Sequence, residues 1–253
     1  MKNETAKIII FTDIDGTLLD KEYSFQDVQP IIKKLQSVNI PIILCSSKTR
    51  SEIEYYRSKL DIKEPFISEN GAAIFIPKGY FQSKHNCTKS NEDYDIVELG
   101  LPYEVIRQKL EGIQKTACTV IGFGDMTAEE VSKDCGLPLA LARMAKQREY
   151  SEPVKIQGCN ESFFLQLIEK EGLHHCKGDR YHHLIGNHDK GKAVSLLKQF
   201  YVKEYGFLKT VGVGNGENDL PMLQSVDEPF FITETQNLGA AWMQIARVLY
   251  VEC

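Results

Sequence analysis

Phe11-Thr12-Asp13-Ile14-Asp15-Gly16-Thr17 places two carboxylates at the end of an apolar segment. It closes an apolar run, Ile8 to Phe11, that reads as a buried strand, and Gly16-Thr17 reads as the turn that ends it. In an open α/β sheet, ligands bind beyond the carboxyl ends of the strands. Two carboxylates two residues apart at such an end are either a costly accident or a device for metal-assisted chemistry.

The pattern on either side supports the α/β reading. Val28, Ile31, Ile32, Leu35 and Val38 recur at helical spacing, Ile40 to Cys45 is a second apolar run, and Thr49 to Leu60 reads as a helix capped by Thr49 or Ser51. Strand, helix, strand, helix predicts a parallel sheet with right-handed crossovers. Residues 65–68 and 72–76 read as a hairpin about an Asn-Gly turn. From Ser83 the chain turns polar and the pattern changes. Helices are expected near 102–115, 127–135, 139–148 and 160–170, with strands near 119–123, 154–157 and 181–185. Sheet-type alternation resumes after Asp189, with a helix over 191–205 and strands at 210–213, 230–232 and 248–251. The expected architecture is a Rossmann-like parallel-sheet core, residues 1–83 and 187–253, with an inserted α+β cap domain, residues 84–186.

The 253-residue chain is 42% apolar, enough to fill a sizeable core. Its formal charge of -5, from 35 acids and 30 bases, gives no electrostatic reason to expect nucleic acid or an anionic membrane as partner. No run of about 18 apolar residues suits a bilayer span, no signal or transit pattern precedes the first strand, and a cytoplasmic protein is expected. Seven cysteines without a Cys-x-x-Cys pair suggest reduced thiols rather than a disulfide or zinc framework. The three Asn-x-Ser/Thr matches, at Asn3, Asn86 and Asn160, are read as chance. The oligomeric state is left open.

Four polar constellations fall at the expected strand ends: Asp13 with Asp15; Ser46-Ser47-Lys48-Thr49; Asp189-Lys190-Gly191; and Gly212-Val213-Gly214-Asn215-Gly216-Glu217-Asn218-Asp219. They supply a carboxylate nucleophile, hydroxyl and backbone donors, a cation, and oxygen ligands for a hard metal, the set that phosphoryl transfer requires. Taken singly, each has a plainer reading. Asp-x-Asp-Gly-Thr also suits a solvated or calcium-type loop, Lys190 a solvated helix start, and Ser46 a helix entry. The glycines at 212, 214 and 216 stop short of a dinucleotide loop because Glu217 stands where the third glycine would be. His174-His175-Cys176 and His182-His183 lack recognised zinc spacing.

With its ordered partners Ser46, Lys190 and Asp219, Asp13-Ile14-Asp15-Gly16-Thr17 resembles the first motif of the haloacid dehalogenase superfamily and its large-capped (Cof-like, type IIB) phosphatases. Within them the chain resembles the mannosyl-3-phosphoglycerate phosphatase family, through Ser46-Ser47-Lys48-Thr49, residues 65–71, residues 148–153, and Gly178 to His183 followed by Asp189 to Ala193. The resemblance implies a phosphorylated sugar substrate and two-step hydrolysis. Asp13 would be the nucleophile and Asp15 the acid/base. Ser46 and Lys190 would hold phosphate oxygens. Asp13, Asp15, Asn215 and Asp219 would hold Mg2+, and Ser47, Lys48, Arg143, Arg148, Arg180 and His182 would contact the substrate.

The sequence departs from the family pattern in two places. Asn215 replaces an aspartate, removing one negative charge from the metal site, and Asp179 stands where glycine is common. Besides the mannosyl compound, another sugar phosphate or glucosyl-3-phosphoglycerate is an alternative substrate. A catalytically weak metabolite sensor is the reading that Asn215 suggests.

Overall fold

The structure is a computed structural model that describes residues 7–116, 119–178 and 180–249. The chain opens with β1 (Lys7–Thr12), α1 (Gln29–Ser37), β2 (Ile42–Leu44), α2 (Arg50–Leu60), β3 (Phe66–Ser68), β4 (Ala73–Pro77), β5 (Lys89–Ser90) and β6 (Tyr94–Glu98). There follow α3 (Tyr103–Gln114), β7 (Val120–Gly122), α4 (Ala128–Cys135), α5 (Leu139–Ala145), β8 (Glu152–Ile156), α6 (Glu161–Lys170), β9 (His174–Lys177) and β10 (His182–Ile185). The last part is α7 (Lys190–Tyr205), β11 (Leu208–Gly214), α8 (Leu220–Gln224), β12 (Glu228–Phe231) and α9 (Leu238–Val248).

Strand alternation sets the layers. Ile10 packs on one face of β1 with Ile31, Ile32 and Leu35 of α1, Ile53 of α2, and Trp242 and Ile245 of α9. Ile9 and Phe11 pack on the other with Ala193, Val194, Leu197 and Tyr201 of α7 and with Met222 and Leu223 of α8. A strand buried on both faces is the continuous apolar run expected of a parallel sheet. The order is β12-β11-β1-β2, with every neighbouring pair parallel. Thr12 lies level with both Leu44 and Val213, so the residues that follow β1, β2 and β11 emerge side by side at one edge. Trp242, fully buried, donates through Nε1 to the Thr17 carbonyl at 2.8 Å and ties α9 to the loop after β1.

β3, β4, β6 and β5 form an antiparallel sheet in the order β3-β4-β6-β5, and a bridge between Cys45 and Ile67 continues β2 onto β3. The stretch from residue 84, expected to open the insertion, instead contributes β5 and β6 here, with Ile96 opposite Phe75 and Val97 opposite Ile74. Charged and polar neighbours disguise a strand whose buried part is only these two residues. The inserted α+β lobe is a second antiparallel sheet, β7-β8-β10-β9. α3 and α6 pack on it through Ile106, Leu110, Ile113, Phe164 and Ile168, while α4 and α5 form a separate cluster with Phe123 and Tyr181.

The strand expected at 248–251 is absent at its described residues. Val248 ends α9, which starts at the Asn237 cap, where Oδ1 accepts from the Ala240 N–H at 2.9 Å. Tyr250 and Val251 lie outside the described residues. Cys45, Cys87, Cys135 and Cys176 are free thiols, while Cys159 is disulfide-bonded, a departure from the all-reduced expectation. Among the described residues no helix is long and apolar enough to cross a membrane.

His188, on the return from β10 to α7, is buried, and its Nε2 lies 3.2 Å from the Glu69 carbonyl, which requires an N–H there. Burial pushes its pKa down from 6.5 to about 4. Between these values the unfolded chain binds a proton that the fold excludes, so stability is full above about pH 6.5 and is lost as the pH falls towards 4. Urea unfolding at pH 7 and pH 5 should show a wild-type loss exceeding that of His188→Gln by about 1–2 kcal/mol. Equal losses in the two proteins would contradict a neutral buried imidazole.

Candidate active site

Asp13 follows β1 and still keeps sheet geometry, its N–H donating to the Val213 carbonyl at 2.9 Å. Asp189 caps α7 by accepting from the Lys192 N–H at 2.8 Å, which makes Lys190 the first helical residue and turns it inward. The residue is 1% exposed, and its ammonium donates to Asp13 Oδ1 and Asp219 Oδ1, each at 2.6 Å. The other oxygen of Asp219 accepts from the backbone N–H groups of Asn215 and Gly216 at 2.8 and 2.9 Å. Asn215 Oδ1 in turn accepts from the Thr17 hydroxyl at 3.1 Å. The loops after β1 and β11 touch so closely that a Cβ at Gly16, where φ is +68°, would lie 2.3 Å from Asn215 Nδ2.

Burial pushes the Asp13 carboxyl up to about 7, against the pull of Lys190, and the neighbouring charges of Asp219 and Asp15 add to the rise. The attraction of Asp13 and Asp219 overcomes desolvation at Lys190 and holds it above the ordinary lysine range. Asp15 stands nearer the mouth, its side chain 44% exposed, and pairs with Lys48 Nζ at 2.9 Å. Lys48 also lies 3.5 Å from Glu52, and these two carboxylates hold its pKa up despite burial. Glu52 doubles as the cap partner of Thr49, whose hydroxyl accepts from the Glu52 N–H at 3.2 Å. Ser46 is buried after β2, its Oγ accepting from the Lys48 N–H at 3.3 Å and its carbonyl from the Asn70 N–H at 2.9 Å. Asn218 donates to Asn70 Oδ1 at 3.0 Å and closes the ring of loops.

Among the described residues no group of three or more His, Cys, Asp or Glu side chains is placed to hold a metal ion, and position 215 of the expected ligand set carries an amide. Asp13 Oδ2 meets no donor among the described residues, and Asn215 Oδ1, beside its bond from Thr17, is an amide oxygen with a second lone pair of the kind a hard cation takes. Asp219, expected as a ligand, has both oxygens engaged by Lys190 and two backbone N–H groups, and its geometry is that of a brace.

The substrate-side expectations divide. Arg148 is held at the cleft, with Nη1 donating to the Ser47 carbonyl at 2.7 Å and Nε to the Ala145 carbonyl at 3.0 Å. Arg180 donates to the Cys135 carbonyl at 2.8 Å, and its charge is felt at Tyr23 together with those of Asp15 and Lys48. Asp179 lies outside the described residues. Arg143 is 64% exposed and pairs with Glu129 at 3.7 Å, because Leu141, Ala142 and Ala145 take the buried face of α5. His182 shares the outer parity of β10 with Leu184, meets Glu161 at 3.4 Å and faces α6. Its neighbour His183 and the register partner Cys176 take the opposite face, where the charges of Lys190 and Arg148 reach both. His182 and His183 differ by one step of strand parity. Glu69, Asn70, Thr17 and Asn218 were also outside the expected set. The Glu69-Asn70-Gly71 turn, with φ at +46°, +61° and +93°, was their nearest signal.

The haloacid dehalogenase-like hydrolase family matches residues 10–105. A glucosyl-3-phosphoglycerate/mannosyl-3-phosphoglycerate phosphatase of Methanococcoides burtonii is 44% identical over 230 residues, 89% of this chain and 85% of its own. A mannosyl-3-phosphoglycerate phosphatase of Pyrococcus horikoshii is 40% identical over 229 residues, 88% and 90% of the two chains. In fold, the subclass IIB sugar phosphatase BT4131 aligns over 96% of this chain and 99% of its own, with a TM-score of 0.62 at 14% identity. With relatives this similar along nearly the whole chain, the protein belongs to the haloacid dehalogenase-like hydrolases, in the mannosyl-3-phosphoglycerate phosphatase family.

Proposed function

We propose that the protein is a magnesium-dependent phosphomonoester hydrolase that works through an aspartyl-phosphate on Asp13. Its proposed substrate is mannosyl-3-phosphoglycerate, with glucosyl-3-phosphoglycerate as the alternative. The observation that carries this reading is the state of Asp13. Lys190 fixes one carboxylate oxygen at 2.6 Å, and the other is left free to attack. The names of the relatives support the substrate class. The parallel-sheet part acts as catalytic core and the lobe from α3 to β10 as a cap that reads the sugar and excludes water.

In the first step Asp13 Oδ2 bonds to phosphorus, the bond from phosphorus to the glycerate oxygen breaks, and Asp15 gives its proton to the leaving alkoxide. In the second, Asp15 takes a proton from water, which attacks phosphorus, releases inorganic phosphate and restores the Asp13 carboxylate. Ser46 and Lys190 hold the non-bridging oxygens where charge is concentrated. Lys48 orients Asp15 through their 2.9 Å pair. A magnesium ion held by Asp13, Asn215 and the Asp15 backbone would neutralise phosphate charge and keep Asp13 ionised against its burial.

Purified protein with magnesium should release phosphate from mannosyl-3-phosphoglycerate, and Asp13→Asn should lower the rate roughly a thousandfold or more. A variant that keeps its rate would remove Asp13 as nucleophile. The sensor reading is favoured only by Asn215, and a magnesium titration separates it. Asn215→Asp restores a ligand charge and should lower the magnesium needed for half-maximal rate roughly tenfold, from a wild type that already turns over. An unchanged magnesium requirement would show that position 215 is not a ligand. Turnover appearing only in Asn215→Asp would favour the sensor.

A further inference from the structure

Glu69 has no solvent exposure, although it sits on the turn between β3 and β4. Its N–H donates to the Lys48 carbonyl at 3.0 Å, fixing the turn to the loop that carries Ser46. Its side chain crosses to the segment between α5 and β8. Oε1 accepts from the Glu149 N–H at 2.8 Å, and Oε2 accepts from the Tyr150 N–H at 3.2 Å and the Ser151 hydroxyl at 2.6 Å. Arg148 Nη1 lies 3.9 Å from Oε2 and donates to Ser151 Oγ at 3.4 Å as well as to the Ser47 carbonyl. One residue therefore joins the β3–β4 turn through its backbone N–H to the Ser46–Thr49 loop and through its carboxylate to residues 148–151 of the inserted lobe.

We propose that Glu69 is a positioning residue that holds Arg148 and residues 149–151 against the Ser46–Thr49 loop, so that the inserted lobe reads the organic part of the substrate in register with its phosphoryl group. The inference rests on the reading of Ser46 and Lys190 as the phosphate site. A buried carboxylate is costly unless its lone pairs are filled. Here two backbone donors, a hydroxyl and Arg148 fill them and oppose the upward push of burial on its pKa. Nε and Nη1 of Arg148 are spent on protein acceptors, whereas Nη2 meets none among the described residues. That edge is available to an anionic group such as a substrate carboxylate. A glutamine at position 69 would keep the volume, turn an NH2 towards these donors and remove the counter-charge of Arg148.

Wild type, Glu69→Gln, Arg148→Ala and the double variant would be assayed with magnesium on mannosyl-3-phosphoglycerate and on p-nitrophenyl phosphate, which lacks the sugar and the carboxylate. Glu69→Gln should raise KM for the glycosyl substrate roughly tenfold, while kcat/KM on p-nitrophenyl phosphate changes less than about threefold. The double variant should be no worse than Arg148→Ala alone. Equal losses on the two substrates, or additive losses in the double variant, would overturn the proposal. Hydrogen exchange decides it independently of turnover. In Glu69→Gln the Glu149 and Tyr150 amides should exchange roughly tenfold faster or more, and unchanged exchange would overturn it. A wild type silent on both substrates would instead count against the phosphatase reading, and the exchange result would still stand for or against Glu69.

Discussion

The structure depends on one buried ammonium. Lys190 reaches Asp13 and Asp219 at equal distance, from the first turn of a helix that enters after the inserted lobe. Removing a lysine from water costs several kcal/mol, which only close charge-assisted bonds offset. Two carboxylates supply them, and each is itself fixed by its loop. The contact therefore sets the mutual position of the ends of β1 and β11 and the start of α7. Tight packing around it follows: a Cβ at Gly191 would lie 2.4 Å from the Pro221 carbonyl, and one at Gly214 would lie 2.5 Å from Asp219 Cβ. Separated far along the chain, these residues meet because the parallel register makes neighbouring strands end level.

A second charged group lies closer to the mouth. Lys48 meets Asp15 and Glu52, while the Asp13 pair lies deeper. The two aspartates of the first loop thus differ in environment although they are two residues apart. Asp13 is sequestered and clamped, which the proposed role of nucleophile requires. Asp15 is partly exposed and held at one oxygen, which the proposed role of acid and base requires. The inserted lobe meets this arrangement through Glu69, Arg148 and Ser151, which hold it by polar contacts at the loop that carries Ser46.

Local signals were legible in the sequence wherever burial and periodicity agree. The apolar run before Asp13, the Thr49 cap and the Asp189-Lys190 helix start each depend on neighbours in sequence, and the structure shows them as expected. Elements whose stability comes from distant packing were harder to read. α9 earns its burial through Trp242 and Ile245 against the β1 face, and its apolar end resembled a strand. β5 and β6 carry only Ile96 and Val97 inward. In the site, the choice between His182 and His183 turns on strand parity, and the choice between ligand and brace for Asp219 turns on which donors reach its oxygens. Glu69 reads as a turn residue until the segment at 149–151 is seen to donate to it.

Rapid acid quenching during turnover, followed by peptide mapping of the trapped protein, locates the phosphoryl group on the chain. If Lys190 aims Asp13 at phosphorus, the phosphoryl group should be found on the Asp13 carboxylate in the peptide that carries residues 11–17. A phosphoryl group on any other side chain, or turnover with no acyl phosphate under conditions that trap one, would contradict the account.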